Sequence, residues 1–186
     1  MVTTLPFGRP MTLADLYELP DDGCRYELVD GCLIVSPPVP QDHQELSHDL
    51  RDLLVASGPN GWRCRVEYSL PFSNDHQRVP DVLVYRWPLQ HPRADKRSPV
   101  GPADVGLIVE VVSESSRRTD RFAKPGEYAE AGVPLYWRLE TAGELRLHTF
   151  VNEGGVYAPG PLVTSTGLVP APWGEVFVDL GALGWD

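Results

Sequence analysis

Apolar positions recur along the chain with two periods, and the switches between them mark the elements. Thr12 followed by Leu13, Leu16, Tyr17 and Leu19 predicts a short amphipathic helix, capped by Thr12 and ended by Pro20. Arg25 to Val29 alternates polar and apolar, Asp30-Gly31 is a hairpin turn signal, and Cys32 to Ser36 is the returning strand. Leu46, Leu50, Leu53 and Leu54 give Gln41 to Ser57 one apolar stripe at helical spacing, which Gly58 to Gly61 stops. Trp62 to Ser69 and Leu70 to Ser73 read as strands before an Asn74-Asp75 turn, and Val79 to Tyr85 as another, with Pro80 at its start where proline is tolerated. Arg86 to Asp104 reads as a long exposed loop. Val105 to Val112 is an almost unbroken apolar run, the mark of a central strand covered on both faces. Ser115 to Ala131 predicts a helix with Gly132 just past its end. Val133 to Leu139 is a further buried strand with Glu144 to Phe150 as its hairpin partner. Asn152 to Gly155 turns the chain into a β-rich tail, Val156 to Asp186. The order predicts a mixed α and β fold (α/β in the broad sense), with a central sheet flanked by helices. With no repeat and no convincing linker, one domain over residues 1–186 is expected, its core about 12–150.

Composition narrows the classes. The 186 residues are ordinary for a globular chain, and no run approaches the ~18 apolar residues of a membrane helix. Cys24, Cys32 and Cys64 are odd in number and lack Cys-x-x-Cys spacing, which argues against a disulfide scaffold and a thiolate zinc site. No signal-peptide pattern opens the sequence, so a cytoplasmic home is expected. Sixteen Lys and Arg against 26 Asp and Glu give a net charge of −10. Such a chain does not hold nucleic acid by bulk charge; it needs a local basic patch or a metal that inverts the local field.

Three carboxylates interrupt predicted strands. Glu110 lies inside Gly106-Leu-Ile-Val-Glu-Val-Val112, where desolvation costs several kcal/mol without a partner. Asp81 follows Pro80, where a turn or capping role is the plainer reading. Glu27 lies between Tyr26 and Leu28, where a solvated edge position is the plainer one. Carboxylates converging on adjacent strands repel and raise each other's pKa, and a hard divalent cation relieves both. Oxygen ligands without Cys favour Mg²⁺ or Mn²⁺ over zinc. After Glu110 come Arg117, Arg118, Asp120, Arg121 and Lys124. Asp120 can stabilise a helix start. Lys124 is either solvated or aimed back at the carboxylates. The arginines are phosphate-contact candidates or a solvated helix face. His43 sits early in the second helix, in phase with Ser47 and Leu50. A serine triad on Ser113 or Ser115 lacks the nucleophile-elbow glycines. The five tryptophans read as core or interface rather than base-stacking platforms, Trp87 and Trp185 as candidates for an oligomer contact.

These pieces together carry a resemblance. Arg25-Tyr-Glu-Leu-Val-Asp-Gly31, Ser36-Pro-Pro38 with His43, Val79-Pro-Asp-Val82, Val109-Glu-Val-Val-Ser113, Asp120 with Lys124, and Tyr128-Ala-Glu-Ala-Gly-Val-Pro-Leu-Tyr-Trp137 stand in the order of the Uma-type restriction-endonuclease-like family, within the PD-(D/E)XK nuclease superfamily. The chain resembles that family over roughly Leu13 to Leu139. The resemblance implies a restriction-endonuclease-like core with an added N-terminal β-hairpin and C-terminal tail. Asp81 and Glu110 match the superfamily's two acidic residues, and Glu27 the additional family glutamate. Val112 stands where the superfamily's usual Lys lies, and Lys124 matches the position to which this family moves it.

The implied activity is metal-assisted phosphodiester hydrolysis of nucleic acid, DNA first. Asp81, Glu110, Glu27 and the carbonyl near Val111 would hold one or two Mg²⁺ or Mn²⁺ ions, with Lys124 orienting the water or stabilising developing charge. His43 is a secondary candidate, contacting phosphate or holding Glu27. A homodimer suits cutting two strands. The rival, from another class, is a catalytically silent member acting as a binding or assembly module.

Overall fold

The structure, a computed structural model, describes residues 9–112 and 122–184. Thr12 and Asp15 cap each other reciprocally at the start of α1 (Leu13–Leu16). β1 (Arg25–Val29) and β2 (Cys32–Ser36) form the expected hairpin, and Asp30 and Gly31 both take positive φ, as a two-residue turn of this hand requires. α2 (Gln41–Ser57) buries Leu46, Ser47, Leu50 and Leu54 along one side. Then follow β3 (Trp62–Val66), β4 (Leu70–Pro71), β5 (Gln77–Arg78), β6 (Val82–Arg86) and β7 (Val105–Val112). After α3 (Lys124–Glu130) come β8 (Leu135–Glu140), β9 (Arg146–Asn152), β10 (Tyr157–Val163), β11 (Thr166–Ala171) and β12 (Gly174–Asp179). No helix among the described residues is long and apolar enough to cross a membrane.

The central sheet runs β10-β9-β8-β7-β6-β3. Only β7 and β8 are parallel, and the chain between them passes through α3, the kind of crossover a parallel pair needs. Every residue of β7 is buried, as its unbroken apolar run predicts. Leu107, Val109 and Val111 face α2 and the β11–β12 hairpin, while Ile108 faces Tyr128 of α3 and Tyr136. A second sheet, β2-β1-β5-β4, stands beside the first. Tyr26 and Leu28 of β1 pack on Met11, Leu13 and Leu16. Alternation therefore turns Arg25 and Glu27 to the other face.

Several expectations shift. The strand expected from Val79 begins at Val82, because the Val79 N–H donates to the Glu27 carboxylate instead of a ladder. Gln77 and Arg78 are a strand that two polar residues did not advertise. The loop from Arg86 to Asp104 is less exposed than expected: Asp104 is buried and accepts the Gln90 and His91 N–H groups at 2.9 Å each. The helix expected from Ser115 is described only as Lys124–Glu130, so Pro125 falls in its first turn, where its missing N–H costs little. Arg117, Arg118, Asp120 and Arg121 lie outside the described residues.

Candidate functional site

The register of the central sheet brings the two acidic positions together. Val82 pairs with Val109 in the antiparallel β6–β7 ladder. One step further along sets Asp81 opposite Glu110, and directly opposed side chains share a face. Both carboxylates are removed from solvent, at 2% and 0% exposure. Such burial is tolerable only if each charge is met, and each is.

Glu110 is met from α3. The Lys124 ammonium donates to its Oε2 at 3.0 Å, and the Tyr128 hydroxyl donates to its Oε1 at 2.6 Å. Lys124 and Tyr128 are four apart, so one helix face presents both. Burial, then the nearby Glu110 and Glu27 charges, push the Tyr128 hydroxyl well above its ordinary value, which keeps it a neutral donor.

Asp81 is met from the other side. Its Oδ2 accepts the Val111 N–H at 2.8 Å and lies 3.3 Å from His43 Nε2. Its Oδ1 lies 2.9 Å from the Arg25 guanidinium without a hydrogen bond of good geometry. Burial alone would raise the Asp81 carboxyl. The His43 hydrogen bond and charge, with Arg25 and Lys124, outweigh it and hold the group well below the usual carboxylate range. Burial likewise lowers His43, and Asp81 with the Val111 carbonyl more than reverses it. His43 Nε2 is 2.9 Å from that carbonyl, so the oxygen expected as a metal ligand already has a partner.

Arg25 joins this centre to the surface. It pairs with Glu67 at 3.1 Å as well as with Asp81, and Glu67 reaches it from a left-handed backbone at φ 48°. A cleft of about 290 Å³ opens beside Arg25, lined also by Glu67, Gln44, Gln77 and Val79.

Glu27, expected to bind metal directly or through water, contacts protein groups here. Its Oε1 accepts the Val79 N–H at 2.9 Å and its Oε2 the Arg78 guanidinium at 3.2 Å. Arg78 also grips Glu127 of α3 through two bonds at 2.7 and 2.6 Å. Glu27 thus enters the same charged neighbourhood through Arg78. Among the described residues no three His, Cys, Asp or Glu side chains gather as a metal cage, since protein cations meet the carboxylates instead.

Sequence reasoning missed Tyr128, Arg25, Arg78 and Glu127 as members of this centre. Two had a signal. Tyr128 is one turn from Lys124, and Arg25 shares a strand face with Glu27. Arg78 and Glu127 had none, because their meeting depends on the packing of α3 against β5.

The donor set fits a hard divalent cation. A buried carboxylate oxygen with no hydrogen bond, a second carboxylate on the adjacent strand and a backbone carbonyl are all oxygen donors. They supply part of a shell, and Mg²⁺ ordinarily completes its shell with water and phosphate oxygens.

Comparison with known proteins gives two findings. The model of the Uma2 family, whose description is "Putative restriction endonuclease", matches residues 13–171. The crystal structure of a putative nuclease belonging to DUF820 from Anabaena variabilis ATCC 29413 superposes with a TM-score of 0.69 at 16% identity, covering 94% of this chain and 97% of that chain. At that identity the likeness speaks for the fold. No curated protein matches the chain.

Proposed function

Because the chain belongs to the Uma2 family of restriction-endonuclease type, we propose that it is a Mg²⁺- or Mn²⁺-dependent endonuclease that hydrolyses phosphodiester bonds of nucleic acid, DNA first. The observation that carries this reading is the buried Asp81–Glu110 pair with an ammonium, Lys124, seated on the second carboxylate. Asp81, Glu110 and the Val111 carbonyl are the groups that would hold the ion. Bound there, it would supply an acidified water and positive charge for the phosphate. Lys124 holds the water or meets the developing charge, and Tyr128 fixes the Glu110 carboxylate. Arg25 covers Asp81 and faces the cleft, so it is the group a phosphate would meet first. Glu27 acts through Arg78 to set α3, and with it Lys124.

The test is cleavage of a labelled DNA duplex with Mg²⁺, Mn²⁺ or EDTA. Glu110→Gln should lose cleavage at least a hundredfold while retaining a cooperative melt. Full activity in Glu110→Gln, or cleavage in EDTA, would reject the assignment. A dimer cutting two strands is part of the proposal, and a monomer mass in light scattering counts against that part.

A second reading has its own support. Arg25, His43 and Lys124 already neutralise the carboxylates, and Val112 stands at the superfamily's usual Lys position, as in a silent binding module. Calorimetric titration separates the two: no heat at millimolar Mn²⁺ favours the silent module.

A further inference from the structure

An acid excess of ten should leave few guanidinium groups without a carboxylate. Yet Arg63, Arg65 and Arg86, like Arg93 and Arg146, have none within ion-pair distance among the described residues. The first three all stand on the β3–β6 edge of the central sheet, Arg63 and Arg65 on one face and Arg86 on the other. Arg63 and Arg65 alternate with Cys64 along β3 and share a face, and Arg86 is the cross-strand partner of Trp62. The Arg63 guanidinium lies 3.5 Å from the centre of the Trp87 ring, and that of Arg86 4.8 Å from the Trp62 ring. Trp87 is 42% exposed, unusual for so large an apolar surface. A cleft of about 490 Å³ is walled by Arg51, Arg63, Arg65, Trp62 and Trp87, with no carboxylate in its lining, and of these arginines Arg51 pairs with Asp52 at 3.0 Å beside it.

Each part suits one kind of ligand. Guanidinium groups meet phosphate oxygens through forked donors, and aromatic and guanidinium planes stack bases without regard to sequence. The molecule as a whole repels a polyanion, so a strand lands where positive charge is concentrated. Folding alone gives no reason to set two arginines without carboxylate partners, Arg63 and Arg65, on one face beside a half-exposed tryptophan.

We infer that this cleft is a second nucleic-acid contact, in which Arg51, Arg63 and Arg65 hold phosphates and a base stacks on the Trp87–Arg63 layer. It rests on the nuclease reading only for the route of the strand onward to Asp81 and Glu110. β6 links the two places: six residue steps run from Asp81 to Trp87, about 20 Å at ~3.3 Å each. That spans about six phosphate steps of a duplex strand. The cleft anchors the strand at a distance from the reacting carboxylates, and the acidic chain thereby gains the affinity that its net charge denies.

Fluorescence anisotropy with a fluorescein-labelled 20-nucleotide DNA strand, in EDTA and over a salt series, tests the cleft without chemistry. Arg63→Gln and Arg65→Gln should each flatten the slope of log affinity against log salt by about 0.7. Trp87→Ala should weaken binding about fivefold or more, and Trp87→Phe, which keeps a ring, by less. Arg65 is exposed, so Arg65→Gln tests the slope even if changes at Arg63 or Trp87 disturb folding, which melting curves reveal. An unchanged affinity and slope in both arginine variants overturns the proposal, as does a wild-type protein that binds no strand at low salt. So does Trp87→Ala that halves the mass in light scattering with DNA affinity intact, the signature of an oligomer contact. Cleavage by wild type with unaltered binding in the arginine variants refutes the cleft alone. Cleft-dependent binding with no cleavage under any metal supports the cleft and refutes the nuclease reading.

Discussion

Glu110 was the most legible residue in the sequence, because a carboxylate within a run of buried aliphatic positions demands a partner. The structure gives it two from one helix face, Lys124 and Tyr128. Lys124 was legible from the family pattern. Tyr128 was not, since a tyrosine at helical spacing reads first as core, and indeed its ring packs against Phe72 and Tyr136. Its hydroxyl makes a separate contribution. Tyr128→Phe keeps the packing and strips the donor from a sealed carboxylate, so it should cost about 1–3 kcal/mol of stability. Urea titration measures this, and a midpoint equal to wild type would mean the 2.6 Å bond contributes nothing. Asp81 alone reads from sequence as a turn or capping residue beside Pro80, and only the family resemblance marks it as a site residue. Its true surroundings, Arg25 from β1 and His43 from α2, lie 56 and 38 residues away in the chain and only the fold joins them.

At the scale of elements, the long periodic pieces were readable almost to the residue: α2, the β1–β2 hairpin and β7 stand where their patterns put them. Short or polar elements were not. Gln77–Arg78 has no apolar alternation, yet both residues are buried; Arg78 is held there by binding Glu27 and Glu127 together. This arginine ties β1, β5 and α3 into one unit, and so sets the helix that delivers Lys124. The tie is pH-dependent. Burial pushes the Glu127 carboxyl up, and the Arg78 hydrogen bonds and charge, with His76, outweigh that and hold it below its ordinary value. A depressed folded pKa adds stability above the unfolded value of about 4.3, and that stability is lost as pH falls through the folded value. Thermal midpoints from roughly pH 5 to pH 3 should therefore fall more for wild type than for Glu127→Gln. Parallel curves would show that the pair does not titrate with folding.

At the scale of the whole molecule, the central sheet must support the site from one face and carry the C-terminal hairpin on the other. Gly106 marks how closely the layers meet, since a Cβ there would come within 2.6 Å of the Trp62 ring and 2.8 Å of Pro172. Gly106→Ala should destabilise by about 1–3 kcal/mol through overpacking, read by urea titration, and a stability equal to wild type would show slack between the layers. The hairpin is further held by the Trp137 indole, which donates to the Pro170 carbonyl at 3.0 Å. None of this interlayer fit was visible in the chain, because the tail offers only Pro, Gly and scattered apolar residues as signals.

The same scale governs the chemistry. Two carboxylates that reach one rim from different parts of the chain, within an already acidic molecule, are matched by Arg25, His43 and Lys124, and a bound cation must displace or supplement those groups. A crystal of the protein soaked in Mn²⁺ and measured at the manganese edge addresses this directly. The expected result is an anomalous peak about 2.1 Å from oxygens of both Asp81 and Glu110, lost in crystals of Glu110→Gln. Manganese absent from that rim, or bound only elsewhere with Arg25 and Lys124 still seated on the carboxylates, would contradict a metal-dependent centre here.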